Sequence, residues 1–262
     1  MCNTCGCDAK HEHDLSQANS DPLVTAVVEA STHLMSHNNH IATHNREAFR
    51  KHNVLVVNLM SSPGAGKTSL LERTIEHFKS SFKMAVIEGD LETENDAMRI
   101  RNKGVQAEQI STGSGCHLDA TMIEEVLPRF SLKDIDILFI ENVGNLICPA
   151  SFDLGQEFDV VLLSVPEGDD KPEKYPVMFR TANLMLINKV DFLPLCQDFS
   201  IKRATISMQR VGNDCDILET SCSTKGGLSP WFEWLQGKVS ETQRSQNDVA
   251  FQERIGEKHV KR

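Results

Sequence analysis

The chain has 262 residues, enough for one α/β domain with appendages. A formal net charge of −10 and a pI near 5.5, with no basic cluster, argue against a nucleic-acid partner. No apolar run approaches the roughly 20 residues that a membrane-spanning helix needs, and the polar amino terminus lacks the apolar core of a signal peptide, so the expected compartment is the cytoplasm.

Eight cysteines, three of them among the first seven residues, point to metal or redox chemistry in a reducing compartment sooner than to a disulfide framework. Cys2, Cys5 and Cys7 stand in CxxC and CxC spacing around Gly6. Three soft thiolates so placed can converge on one Ni(II), Zn(II) or Cu(I) ion without a folded scaffold. With the initiator methionine removed, the amino group of Cys2 completes an S₃N set that favours square-planar Ni(II). Residues 1–20 are expected to form a flexible tail. Residues 21–52 read as a helical segment that starts at Asp21-Pro22, with Val24, Val27 and Val28 near one face. His33, His37, His40 and His44 recur at helical spacing on another face, which fits a weak metal store and a plain polar surface equally.

Residues 54–71, VLVVNLMSSPGAGKTSLL, organise the rest. An apolar strand, a small-residue loop ending in Gly-Lys-Thr and an amphipathic helix make a phosphate-binding loop. Backbone N–H groups of Gly64, Ala65, Gly66 and Lys67 can curl around a phosphate at the positive end of the helix. The loop contacts run on through Ser69. Lys67 would reach the β and γ phosphates, and the Thr68 hydroxyl would ligate Mg²⁺. Ser61 stands where the usual pattern has glycine.

Strands are predicted at 83–89, 108–112, 135–140, 159–165, 184–187 and 216–218, separated by helical stretches. That alternation implies an α/β fold, a mostly parallel sheet flanked by helices, with ligands bound beyond the carboxyl ends of the strands. Asp90 and Glu141 close two of those strands. Each can hold Mg²⁺ or its waters, and Asp90 can instead orient the attacking water. Asn188-Lys189-Val190-Asp191 follows another strand and matches the guanine signature NKxD. The Asp191 carboxylate accepts from guanine N1–H and the 2-amino group, which adenine cannot offer. Ser221 and Cys222 follow the last strand, where a backbone N–H meets guanine O6. The nucleotide expected is GTP.

Cys116-His117 follows a glycine-rich turn, and Cys148-Pro149 lies seven residues beyond Glu141. Thiolate with imidazole is a common donor set for transition metals. Cys196, Cys215 and Cys222 have no such company and read as structural. Residues 237–262 are charged, glutamine-rich and low in apolar residues, a frayed helix or a disordered tail. The expected division is a tail at 1–20, a helical segment at 21–52, a GTPase domain at 53–237 and a polar tail at 238–262.

The opening CNTCGC, the loop SSPGAGKTSLL and the runs IEGD, TGSGCHLDA, FIENVGNLICPASFDLG, EGDDKPEKYP and NKVD resemble the HypB family, GTPases that deliver nickel during maturation of NiFe hydrogenase. The resemblance covers residues 1–7 and 54–235. It implies a dimer, linked by nucleotide or metal, of the SIMIBI class of phosphate-loop NTPases, and slow GTP hydrolysis using Lys67 and Asp90. It also implies a tight nickel site at Cys2, Cys5 and Cys7 and a second site, for nickel or zinc, at Cys116, His117 and Cys148. The partners implied are the maturation factor HypA, the nickel chaperone SlyD and, through them, the hydrogenase large subunit. The tail lacks the long polyhistidine run of some members. Rival readings are a UreG-like GTPase for another nickel enzyme, a passive nickel-binding or storage protein with a vestigial nucleotide site, and an ATP-dependent small-molecule kinase.

Overall fold

The computed structural model describes residues 22–90, 95–113 and 115–260. Contacts divide the chain into two units, Met1–His37 and Asn38–Arg262. The boundary falls inside the first helix, α1 (Pro22–His52). Its end is well specified. Arg50, Lys51 and His52 crowd the last turn, where cations suit the helix dipole. Asn53 then takes a left-handed φ of 64°, and Asn53 N and Val54 N return to the carbonyls of Arg50 and Phe49.

Seven strands follow: β1 (Leu55–Ser61), β2 (Met84–Asp90), β3 (Gln106–Ser111), β4 (Ile137–Glu141), β5 (Phe158–Ser164), β6 (Leu184–Asn188) and β7 (Asp216–Glu219). They form one sheet in the order β3-β2-β4-β1-β5-β6-β7, with every pair parallel. This is the flanked parallel sheet that the alternating pattern predicts, with strand ends within about two residues of expectation. β1, β4 and β6 are buried along their whole lengths, as strands covered on both faces must be.

Helix α2 (Lys67–Phe78) follows β1, and α3 (Asn95–Arg101) and α4 (Ala120–Val126) flank the β2–β3 side. On the other side lie α5 (Lys171–Lys174), α6 (Pro176–Thr181) and α7 (Ile201–Arg210), and α8 (Ser229–Val260) closes the chain. On one face of β1, Leu55, Val57 and Leu59 pack with Leu70, Leu71 and Ile75 of α2 and with Trp231, Leu235 and Val239 of α8. On the other, Val54 and Val56 pack with Phe49, Ile123, Leu138 and Ile140. Trp231 Nε1 donates to Thr74 Oγ1 at 2.9 Å and locks α8 onto α2. The apolar spacing Trp231, Leu235, Val239 carries α8 past residue 237, and the helix continues to Val260.

Chain order reverses around β1. The chain skips from β1 to β2 on one side, returns to β4, and crosses β1 to reach β5. The carboxyl ends of β1, β2 and β4 therefore meet at the switch point where ligands of such sheets bind.

Candidate functional site

The loop after β1 enters α2 without a side-chain cap, so the first-turn N–H groups of α2 stay available to an anion. Gly66 occupies the cap position at φ 108°, and a Cβ there would lie 2.6 Å from Asn188 Nδ2. Both the dihedral and the neighbour demand glycine. Gly144, on the loop after β4, sits against the same loop, where a Cβ would meet Pro63 Cα at 2.9 Å. Ser61 closes β1 with its hydroxyl inward, accepting from Lys67 Nζ at 3.1 Å. A glycine at that position has no such acceptor. Here the departure from the usual loop pattern supplies a resting partner for the buried lysine.

A cleft of about 390 Å³ opens over this loop, lined among others by Lys67, Thr68, Ser69, Glu88, Asp90, Asp96 and Glu141. Cross-strand register sets Glu88 directly beside Glu141. Each is only 3 % exposed, and one carboxylate oxygen of each is buried without a hydrogen-bond partner. Asp96, held by Arg99 at 2.9 Å, completes a trio whose ligand atoms lie within 4.8 Å of one another. Thr68 Oγ1 donates to Glu141 Oε1 at 2.8 Å. Burial, and then the charge of Glu141, push the Glu88 carboxyl up to about 11. Glu141 is also raised by burial, against the pull of Lys67. Two such carboxyls hold a proton between them until a cation replaces it. The orphaned oxygens, the hard donors and the hydroxyl of Thr68 fit Mg²⁺. Asp90 and Glu141 stand where the sequence predicts. Glu88 and Asp96 were missed. Glu88 lies two residues before Asp90 on one strand, and period-two alternation puts both on the same face.

At the base end, β6 delivers the NKxD residues. Asn188 Nδ2 donates to the Ala65 carbonyl at 2.8 Å, and Lys189 Nζ to that of Gly64 at 2.6 Å, with Lys189 left-handed at φ 61°. Ser221 Oγ donates to Asp191 Oδ1 at 2.6 Å, which aims the carboxylate. The Ser221–Cys222 turn borders a groove of about 440 Å³ beside Arg73 of α2. Burial raises the thiols of Cys215 and Cys222 to about 11 and leaves them unreactive.

The third group comes together from two loops. Cys116 and His117 precede α4, and Cys148 opens a 3₁₀ turn, Cys148–Ser151, beyond β4. Their ligand atoms lie within 4.8 Å of one another, all half-buried. Cys116 Sγ is 3.7 Å from His117 Nδ1, and the imidazole stacks on Phe152 at 3.8 Å. Burial lowers the His117 pKa and so favours the neutral ring that a metal needs. The Cys116 thiol donates to Cys148, and keeping that bond raises its pKa. Among the described residues, three or more donors gather only here and at the carboxylate trio. His40 and His44 touch edge to face at 4.4 Å on α1, and His44 lies 4.0 Å from Glu124. Cys2, Cys5 and Cys7 lie outside the described residues.

A phosphate loop after β1, the central strand of a parallel sheet, with a buried carboxylate bonded to its threonine, defines a phosphate-loop nucleotide-binding protein. The nucleotide-binding domain of the CobW/HypB/UreG family matches residues 55–214. The hydrogenase maturation factor HypB of Escherichia coli is 49 % identical over 83 % of this chain and 73 % of its own length. The crystal structure of HypB from Helicobacter pylori in complex with nickel has a TM-score of 0.73 at 43 % identity, covering 78 % of this chain and 95 % of that one. HypB from Archaeoglobus fulgidus gives 0.72 at 42 % identity, covering 78 % and 99 %. The chain belongs to the CobW/HypB/UreG family and, within it, to the HypB hydrogenase maturation factors.

Proposed function

We propose that this chain is a slow, Mg²⁺-dependent GTPase that carries nickel into NiFe hydrogenase and uses the nucleotide to switch its hold on the metal. One observation carries the reading. The segment 141–148 begins at a carboxylate bonded to Thr68 and ends at a thiol that joins Cys116 and His117. The nickel complex of the Helicobacter pylori relative supports nickel as the cargo.

In this reading the N–H groups of residues 64–67 and the α2 terminus receive the phosphates, and Lys67 leaves Ser61 for the β and γ oxygens. Asp191 reads guanine. Thr68 and Glu141, with Asp90, Glu88 and Asp96 around them, would hold Mg²⁺, which would supply charge neutralisation for the phosphoryl oxygens. Asp90 orients the attacking water. Departure of the γ-phosphate releases Gly144 and the rest of the 141–148 loop, and Cys148 shifts relative to Cys116 and His117. The thiols of Cys2, Cys5 and Cys7 form a separate nickel site, and zinc can replace nickel at Cys116, His117 and Cys148. A homodimer linked by nucleotide or metal, acting with HypA-type and SlyD-type proteins in the cytoplasm, completes the proposal.

The test is a nickel titration of the wild type and of a Cys2/Cys5/Cys7→Ala variant, each with GDP and with a non-hydrolysable GTP analogue. The variant should lose the tighter site and keep one whose affinity depends on the nucleotide. Equal nickel affinity with both nucleotides would overturn the switch.

A further inference from the structure

Leu118 directly follows the Cys116–His117 pair and is fully buried. It is gripped at two points. Its backbone N–H donates to Asn142 Oδ1 at 3.2 Å. Its side chain packs against the bare Cα of Gly89, where a Cβ would lie 2.8 Å from Leu118 Cγ and Cδ1. Gly89 stands between Glu88 and Asp90 at the end of β2, and Asn142 follows Glu141 at the end of β4. One residue therefore rests on both strands that carry the carboxylates of the phosphate cleft.

The Asn142 amide has one workable orientation. Its oxygen accepts from Leu118 N and from Val143 N at 3.0 Å, and its nitrogen donates to Asn58 Oδ1 at 3.3 Å. A flipped amide would set N–H₂ against two N–H donors. Asn58 is itself fixed, since its Nδ2 donates to Asp159 Oδ1 at 2.8 Å, and β1 also takes Asn142 N at the Leu59 carbonyl, 3.0 Å away. Asn142 is 1 % exposed and lines the cleft. A second strut comes from Asn145, whose Nδ2 donates to the Cys116 carbonyl at 3.2 Å.

We infer that Asn142 is the positioning residue that couples the nucleotide cleft to the thiol–imidazole cluster, with Leu118 as the part it moves. When the end of β4 shifts with the occupant of the cleft, the Asn142–Leu118 bond carries Cys116 and His117 with it. The Gly89 contact meanwhile holds Leu118 in register with β2. A buried, hydrogen-bonded link of this kind can transmit a shift at one end of it to the other, as coupling through a contiguous network does.

The inference rests on the nucleotide-switched metal site proposed above, and the experiment separates the two. Nickel affinity is measured on the full-length Cys2/Cys5/Cys7→Ala protein with GDP and with a non-hydrolysable GTP analogue, then again with Asn142→Ala or Gly89→Ala added. The parent should show a ratio between the two nucleotide states within the usual coupling range of about 5- to 150-fold. In both variants the ratio should fall to within about twofold of unity while nickel still binds, because Asn142→Ala removes the acceptor, Gly89→Ala displaces Leu118 from it, and the metal donors remain. A merely structural Asn142 would weaken both affinities alike and leave the ratio at its parental value, which would overturn the assignment. Gly89→Ala keeps the Asn142 amide and its Cβ meets Leu118 first, so it decides the matter if Asn142→Ala does not fold. A parental ratio of one would sink the switch itself, and the link with it.

Discussion

Asn188 donates to the Ala65 carbonyl at 2.8 Å, and a Cβ on the adjacent Gly66 would lie 2.6 Å from that same amide nitrogen. The strand that carries the NKxD residues thus braces the glycine loop before α2. Gly66→Ala meets this bond and a φ of 108° together. Strain of this kind costs about 1–3 kcal/mol. Guanine-nucleotide affinity should drop by at least roughly tenfold. A titration that gave the parental affinity, with a helical spectrum unchanged, would count against this bracing.

Asp191→Asn tests base recognition. The new carboxamide keeps one acceptor and turns the other towards the purine as a donor, leaving the guanine 2-amino or N1–H group unmatched. An unpaired buried donor costs about 1–3 kcal/mol, roughly tenfold or more in affinity. Xanthine carries a 2-carbonyl in place of the amine, so the variant should gain affinity for xanthosine triphosphate as it loses GTP. Ser221 loses its acceptor charge in the same change, so Ser221→Ala should weaken GTP binding in the same direction and by less.

The strands, the phosphate loop and the NKxD turn were legible because each rests on local pattern: apolar runs, glycine at a tight turn, a fixed four-residue spacing. What escaped was created by pairing. Nothing in the run IEGD says that Glu88 will face Glu141. That follows from the parallel register of β2 on β4, which no spacing between residues 88 and 141 reveals. Asn142 reads as one more polar residue in ENVG until Asn58 and Leu118 are set on either side of it. Cys148 could be suspected as a ligand, yet its approach to Cys116 depends on two loops meeting beyond the sheet. In the last helix the signal was present. Trp231, Leu235 and Val239 keep helical spacing through a stretch whose charge and glutamine content suggested less order.

The carboxylate pair makes a pH prediction with a definite sign. Glu88 is raised from 4.5 to about 11 in the folded chain, so at neutral pH the folded state holds a proton that the unfolded state has lost. Stability of the cation-free protein must therefore fall as pH climbs from 4.5 towards 11. Glu88→Gln removes the Glu88 share of this slope, leaving the share of the buried Glu141, and raises the melting temperature of the cation-free protein at pH 8. Added Mg²⁺ should flatten the wild-type slope and do less for the variant. Melting curves in chelator and in excess Mg²⁺ across pH give the answer, and a wild-type slope indifferent to both would remove the case for a shared proton.

Helix α8 should depend on one buried bond. Trp231→Phe keeps most of the ring and deletes the N–H that Thr74 accepts. The loss of one such bond costs about 1 kcal/mol. Thr74 still donates to the Leu70 carbonyl at 2.7 Å, so it keeps a partner. A double-mutant cycle with Thr74→Val isolates the pair: the second substitution should cost less in the Trp231→Phe background than in the wild type. Additive losses in denaturant melts would mean that apolar burial alone fixes α8.

Cys148→Ser asks whether the two loops form one metal site. Serine preserves size and weakens the soft donor, while Cys116 and His117 remain 3.7 Å apart on their own loop. A two-ligand remnant should bind nickel or zinc at least roughly tenfold more weakly, consistent with the weight of one good ligand. Cobalt loaded in place of nickel supplies a direct readout, since sulfur-to-metal charge-transfer absorption scales with the number of thiolates. That absorption should fall by about half when one of two thiolates is removed. Guanine-nucleotide affinity in the absence of metal should stay at the parental value, because Cys148 does not line the phosphate cleft. An unchanged cobalt spectrum would show that Cys148 stands beside the metal without binding it, and any path from Glu141 to the metal would then have to run through the Asn142–Leu118 and Asn145–Cys116 bonds.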